Sequence, residues 1–88
     1  MRVNEGYIFR KIGAQPVLVP ADTEQALSAV VYLNETAEEI YHLLTEQKTP
    51  EQIASILLEE YDAPENRIRE DLNETLECFR SCKVIMED

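Results

Sequence analysis

The segment of residues 28–44, SAVVYLNETAEEIYHLL, changes from a strand pattern to a helix pattern with no loop between the two. Residues 29–33 form a continuous apolar run of mostly β-branched and aromatic side chains, which is typical of a strand. From Ala37 to Leu44 the apolar residues recur at three- and four-residue intervals, which predicts one buried face of an α-helix. Since the strand adjoins the helix directly, this segment fixes the angle between a sheet and a layer of helices.

A β-hairpin is predicted before this segment, and it supplies the rest of the sheet. Residues 7–12 and 16–20 are two runs of strand formers separated by a turn at Gly13. Both ends of the second run are prolines, which cannot donate a backbone hydrogen bond, so we expect the second strand to be short and to lie near an edge. The third strand is expected at about residues 28–33.

Helices are predicted after this segment, at about residues 35–46, 50–61 and 65–82. Either Asn34 or Thr36 can cap the first helix, and Thr36 with Glu39 fits a capping box. Thr49 is the expected cap of the second helix, with Gln52 at its third position. The last apolar run, residues 84–86, can add a strand or cover the core.

Strands that precede helices, rather than alternating with them, predict an α+β domain. The expected architecture is a three-stranded antiparallel sheet, over about residues 7–33, followed by three helices, as in a winged helix-turn-helix. We expect one domain over residues 1–88, because the chain is short for a domain.

The charge is distributed unevenly along the chain. Residues 1–20 carry three cations and one acid, a net charge of +2, whereas the remainder carries five cations and seventeen acids, a net charge of −12. An acidic helical half repels phosphate backbones, so we expect no nucleic-acid partner. No apolar run is long enough to span a membrane, and no secretory signal is evident. We therefore expect no membrane partner and a cytoplasmic location.

No group of residues suited to catalysis or metal binding is evident. Cys78 and Cys82 lie one helical turn apart, and the lone histidine, His42, is distant from them in sequence. A structural zinc site takes four such ligands, and nucleophilic catalysis needs a nucleophile, a base and an orienting group together. Only two glycines occur, so there is no glycine-rich phosphate loop. We expect a protein that is not an enzyme and holds no metal ion or cofactor.

The order and spacing of these elements resemble the PqqD family, the peptide-recognition element of pathways that modify ribosomally made peptides. The resemblance covers the chain from Tyr7 to Met86 and rests mainly on expected core and cap positions. These positions are Leu33-Asn34, Ile40-Tyr41, Leu43-Leu44, Thr49, Ile53, Tyr61-Asp62, Asp71 and Val84-Ile85.

The chain departs from the family pattern at two segments. Residues 46–48, Glu-Gln-Lys, follow the first helix where the family often has Asp-Gly. Residues 81–83, Ser-Cys-Lys, stand where a glycine usually precedes the closing apolar pair. Neither segment touches the surface that the resemblance implies for binding.

The resemblance implies a non-catalytic module that binds the leader segment of a precursor peptide and presents it to a modifying enzyme, often a radical-SAM protein. The leader adds as a strand beside the third strand, in a groove formed with the third helix, so that main-chain hydrogen bonds supply affinity and pockets choose the sequence. The peptide-binding residues implied are Ala29, Val30, Val31, Tyr32, Leu33, Arg67, Ile68, Asp71, Leu72, Thr75 and Cys78.

Some of these residues also fit purely structural roles. Side chains alternate along a strand, so we expect Ala29, Val31 and Leu33 to face the core, with Val30 and Tyr32 on the other face. On the third helix, Ile68 and Leu72 suit the core as well as a groove floor. Arg67 and Arg69 suit ion pairs with Glu70, Asp71 or Glu74 of the same helix.

Two other functions fit the same elements. A winged-helix DNA-binding regulator has this architecture, but its recognition helix should be cationic, and residues 65–82 carry three cations against five acids. A scaffold module would instead pair the edge of the third strand with a second copy. The protein is accordingly expected to be a monomer or a weak homodimer.

Overall fold

The computed structural model of the protein describes residues 1–21 and 30–87. Its elements are β1 (Arg2–Val3), β2 (Tyr7–Ile12), β3 (Gln15–Pro20), β4 (Val31–Tyr32), α1 (Glu35–Thr45), α2 (Pro50–Glu60), α3 (Glu65–Ser81) and β5 (Ile85–Met86). Strands β2, β3 and β4 form an antiparallel sheet in that order, and β1 pairs with β5 in a two-stranded ribbon. The predicted α+β class, with a three-stranded antiparallel sheet and three helices, is confirmed.

The hairpin of β2 and β3 forms as predicted, but β3 is the central strand, so the prediction that it lies near an edge was wrong. Pro16 is opposite Leu33 when the β3–β4 register is extended by one residue, and Leu33 N–H donates to the Pro16 carbonyl at 3.0 Å. Pro16 has no N–H for the reciprocal bond, and Nε2 of Gln15 donates to the Leu33 carbonyl instead, at 2.9 Å. The described pairs between β3 and β4 are Val17 with Tyr32 and Leu18 with Val31, so Pro20 has no part in them. A side-chain amide thus lets a proline occupy a central strand.

All three helices begin where the sequence predicts and end one residue earlier. Of the two candidate caps for α1, the structure selects Asn34, whose side-chain oxygen accepts a hydrogen bond from the Ala37 N–H at 2.8 Å. Thr49 and Gln52 form the predicted capping box of α2, with hydrogen bonds of 3.2 and 2.8 Å. No helix in the described part of the chain is long and apolar enough to cross a membrane.

Helices α1 and α3 both end in a Schellman motif whose left-handed residue is not glycine. Gln47 has a φ of 67° and Lys83 has a φ of 62°. Two successive N–H groups at each end donate back into the last turn, at 2.9 and 3.1 Å after α1 and at 3.1 and 2.8 Å after α3. Both residues lie in the two segments where the sequence departs from the pattern of the family that it resembles. A left-handed backbone favours glycine at such positions.

One apolar core joins the sheet to the helices. The sheet contributes Leu18 and Leu33, and the chain returns after α3 to add Val84 and Ile85. The hydroxyl of Tyr7 donates to the Cys82 carbonyl at 2.7 Å, which ties β2 to the end of α3, and burial raises the pKa of Tyr7. The helical members of the core are Ala37, Ile40, Tyr41, Leu44, Ile53, Ala54, Leu57, Ile68, Leu72, Leu76 and Phe79.

Replacing Lys83 with glycine should stabilise the protein, because glycine adopts a φ of 62° without a Cβ clash. We expect Lys83→Gly to raise the free energy of unfolding by about 0.5–1 kcal/mol. This gain is the energy that a non-glycine residue pays for a left-handed backbone, minus the larger backbone entropy that glycine loses on folding. The matched control is Glu74→Gly, at an exposed position inside α3, which should lower that free energy by about 0.5–1 kcal/mol. Urea unfolding followed by circular dichroism measures both, and a destabilised Lys83→Gly variant would contradict this account.

Candidate functional site

The outer edge of β4 has no neighbouring strand among the described residues, because β4 is the last strand in the sheet order. On its inner side, the Leu33 N–H donates to β3. Backbone groups alternate in direction along a strand, so the N–H and C=O of Tyr32 point away from β3, toward the open edge. This edge presents an unpaired donor and acceptor to an added strand.

Among the described residues of the predicted strand 28–33, β4 covers only Val31 and Tyr32, which pair with β3. The cap of α1 follows two residues later, which limits the strand at that end. Val30 is half-buried and precedes the strand. Ala29, a predicted peptide-binding residue, lies outside the described residues.

The side chains of β4 and the next residue alternate between the two faces as predicted. Val31 packs against the core and Leu33 is 3% exposed within it. Tyr32 is 70% exposed on the opposite face. Tyr32 therefore offers its backbone to the open edge and its ring to the outer surface of the sheet.

The predicted residues of α3 fall into two groups. Ile68 and Leu72 are buried in the core, which agrees with their interpretation as core residues. The other four lie along one flank of the helix, where the ends of the row are exposed and its middle is half-buried. That flank, which we call the α3 flank, consists of Arg67, Asp71, Thr75 and Cys78.

Polar contacts hold the α3 flank together. Arg67 Nε lies 3.4 Å from Asp71 Oδ1, one helical turn away. The Thr75 hydroxyl donates to the Asp71 carbonyl at 2.9 Å. Burial, followed by the neighbouring Cys78, raises the pKa of the Cys82 thiol, which keeps that thiol protonated near neutral pH.

The opposite flank of α3 is occupied by contacts with α2. Arg69 lies 2.8 Å from Glu65 on its own helix and 3.1 Å from Glu51 on α2. These carboxylates raise the pKa of the Arg69 guanidinium. The predicted ion pair of Arg67 with Asp71 is confirmed, whereas Arg69 pairs with Glu65 and Glu51 rather than with the acids expected for it. The α3 flank is thus the side of the helix that α2 leaves open.

The titratable side chains in other described parts of the chain form no metal site, and His42 takes part in packing. No group of three or more His, Cys, Asp or Glu side chains among the described residues could hold a metal ion. The His42 ring packs edge-on against Phe9, with 4.7 Å between ring centroids, and its Nε2 lies 3.7 Å from Glu38. This environment gives His42 a packing role.

A cavity of about 930 Å³ lies away from the predicted site. Its walls are the N-terminal ribbon and the segment that joins α1 to α2, and it is lined by Val3, Tyr41, Leu44 and Met86 among others. None of the predicted peptide-binding residues lines it. The sequence gives no sign of this cavity, since β1 was not predicted.

Gln15 supports the site and was missed by sequence reasoning. Its side-chain amide bridges the carbonyls of Pro16, at 2.8 Å, and Leu33, at 2.9 Å. It thereby fixes β4 on β3 at the point where the sheet lacks an N–H. The sequence feature that could have indicated this role is Pro16. A proline has no N–H, so a carbonyl on the adjacent strand needs another donor.

Comparison with known proteins assigns this architecture to a family. The family model of coenzyme PQQ synthesis protein D (PqqD) matches residues 17–85. The chain therefore belongs to the PqqD family. No curated protein matches the chain in sequence.

Two solved structures share the fold. TbiB1 in complex with the TbiA(beta) leader peptide is 22% identical, with a TM-score of 0.82 and coverage of 100% of both chains. Lasso peptide synthetase B1 complexed with the leader peptide is 19% identical, with a TM-score of 0.76, over 91% of this chain and 89% of that chain. At these identities the likeness establishes the fold, including the strand and helix that carry the candidate site.

Substitutions at adjacent positions of the site should have unequal effects on stability. Leu33→Ala should lower the free energy of unfolding by about 2–4 kcal/mol, because it leaves a cavity in the core. Tyr32→Thr should change it by less than about 0.5 kcal/mol, because the ring is exposed and threonine suits a strand. Thermal and urea unfolding measure both variants. Equal losses would show that Tyr32 is packed rather than free.

Proposed function

We propose that the protein binds the leader segment of a ribosomally made precursor peptide by strand addition at β4, and that it is not itself an enzyme. The observation that carries the proposal is the outward N–H and C=O of Tyr32 at an edge that no described strand covers. A peptide in extended conformation has the complementary acceptor and donor, and strand addition is a recurrent way to recognise such a segment.

Family membership and the neighbouring structures support the proposal. The PqqD family is described by its part in coenzyme PQQ synthesis. TbiB1 and lasso peptide synthetase B1, which share the fold, are each complexed with a leader peptide. The presence of a leader peptide in both complexes favours the same ligand class for this chain.

The α3 flank is the proposed source of sequence selection. Side chains of an added strand alternate, so every second residue would face the helices and the others would lie beside the Tyr32 ring. The inward residues would meet the half-buried Asp71 and Thr75, with Arg67 and Cys78 at the ends of the row. Val30 and Ala29 are proposed to extend the ladder beyond β4.

Charge favours a leader that carries cations. The chain has a net charge of −10, and the ion pair between Arg67 and Asp71 is exposed and easily exchanged for one with a ligand. The same charges disfavour DNA, since Arg67, Arg69 and Arg80 on α3 all contact carboxylates.

We propose a modifying enzyme of the radical-SAM class as the second partner. We also propose a cytoplasmic location.

The test removes the outward N–H of Tyr32 without removing any β3–β4 bond. Proline is tolerated at an edge position whose N–H faces solvent, so Tyr32→Pro should fold. The probe is a synthetic leader, the N-terminal segment of the short precursor encoded beside this protein, titrated by calorimetry. We expect Tyr32→Pro to weaken leader binding at least tenfold, because one main-chain hydrogen bond is lost and the ring occupies the path of the strand.

Tyr32→Thr is the matched control, because it keeps the N–H and removes the ring. It should bind the leader within about threefold of the wild type if the backbone supplies most of the affinity. Chemical synthesis of the chain with N-methylated Tyr32 replaces the proline variant if the latter does not fold. Equal affinity of the wild type and the N–H-deficient forms would contradict strand addition. A wild type that ignores the leader and dimerises through the same edge would support the scaffold function instead.

A further inference from the structure

The face of the sheet that points away from the helices is largely apolar. Phe9, Leu18 and Val31 are aligned across the three strands and face the core. Side chains alternate along each strand, so their neighbours face outward. The outward set, which we call the outer face, consists of Ile8, Arg10, Ile12, Gln15, Val17, Val19, Val30 and Tyr32.

The outer face holds most of the large apolar side chains that the described chain exposes. Ile8 is 38% exposed, Ile12 is 63% exposed and Tyr32 is 70% exposed, whereas Tyr61 is the only other exposed large apolar residue among those described. Val17 lies between strands β2 and β4 and is fully buried. Clustered apolar exposure of this kind marks an interaction surface more often than scattered single residues do.

Arg10 lies on the outer face of β2, between Ile8 and Ile12, and has no carboxylate within ion-pair distance among the described residues. The register places it opposite Val17, which is in turn opposite Tyr32. Among the described residues, the guanidinium of Arg10 makes one long hydrogen bond, in which Nη1 donates to the carbonyl of the adjacent Phe9 at 3.5 Å. This is unusual in a chain with eighteen acidic residues, where all three arginines of α3 contact carboxylates.

We propose that the outer face docks the modifying enzyme, through an apolar patch on that enzyme with a carboxylate opposite Arg10. This inference rests on the proposed function. Arginine and tyrosine are enriched at the centres of protein interfaces, and a guanidinium binds a carboxylate in a bidentate manner once water is excluded. The enzyme therefore supplies the carboxylate that pairs with the Arg10 guanidinium, since no described residue of this chain does so.

The position of Tyr32 explains why the enzyme, rather than another protein, is the occupant. The Tyr32 backbone faces the edge where the leader would add, and its ring belongs to the outer face. An enzyme docked on this face would lie directly beside the leader strand. A second copy fits less well, because a twofold interface would set the same patch against itself, and that patch contains an arginine and no acid.

The test measures enzyme binding and leader binding separately. The probe is a purified peptide-modifying enzyme, chosen from candidates in the neighbouring genes and titrated by calorimetry in the absence and in the presence of the synthetic leader. Arg10→Glu and Ile12→Ser change exposed side chains, so both variants should fold. Lys48→Glu is the matched control, since it makes the same charge reversal at the cavity on another side of the molecule.

We expect Arg10→Glu to weaken enzyme binding at least tenfold and Ile12→Ser at least threefold, with leader affinity unchanged within twofold. Lys48→Glu should leave both affinities unchanged. Enzyme binding that is insensitive to Arg10→Glu and Ile12→Ser would overturn the inference. A wild-type dimer that Arg10→Glu converts to a monomer would also overturn it, since the face would then join two copies. Failure of the leader proposal alone would appear differently, as no leader binding with enzyme binding still dependent on Arg10.

Discussion

The structure depends on the backbone of Leu33, where the sheet is joined to the helices. Its N–H donates to the Pro16 carbonyl, its carbonyl accepts from the Gln15 amide, and its side chain lies in the core. The next residue, Asn34, caps α1. Because these bonds use the inner side of the strand, β4 is held firmly on β3 while its outer side stays open. The inward hydrogen bonds of Leu33 thus attach β4 to β3 and also leave the outer edge of β4 open for the candidate site.

Two surfaces with different chemistry meet at Tyr32. The edge of β4 offers backbone hydrogen-bonding groups, which suit an extended peptide of variable sequence. The outer face offers apolar side chains around Arg10, which suit a folded partner. The acidic helices disfavour anionic partners, and all three arginines of α3 contact carboxylates of this chain. On this proposal, a peptide and the enzyme that modifies it would be held side by side on two adjoining surfaces.

The helices could be predicted from the sequence because their signals are local. The Thr49 cap with Gln52 three residues later defines the start of α2 within a few residues of chain. The alternation of Val31, Tyr32 and Leu33 likewise depends only on the period of a strand. For Ile68 and Leu72 the local pattern left core and groove floor open, and the structure places both in the core.

The remaining features depend on partners distant in the chain. The central position of β3 was missed because the proline rule assumes that nothing replaces the absent N–H, whereas Gln15 does so across the strand. The β1–β5 ribbon joins two-residue strands from opposite ends of the chain, which leave no periodic pattern. The left-handed backbone at Gln47 and Lys83 had no glycine to indicate it. Which residues of the α3 flank contact a peptide stays a prediction.

Amide hydrogen exchange at Tyr32, followed by NMR with and without the leader peptide, tests the central claim most directly. In the free protein, the Leu33 amide is bonded to Pro16 and should exchange slowly, whereas the Tyr32 amide faces the open edge and should exchange fast. Strand addition predicts that saturating leader slows exchange at Tyr32 by at least tenfold and leaves Leu33 little changed. A Tyr32 amide that exchanges equally fast when the leader is bound would show that the peptide binds elsewhere.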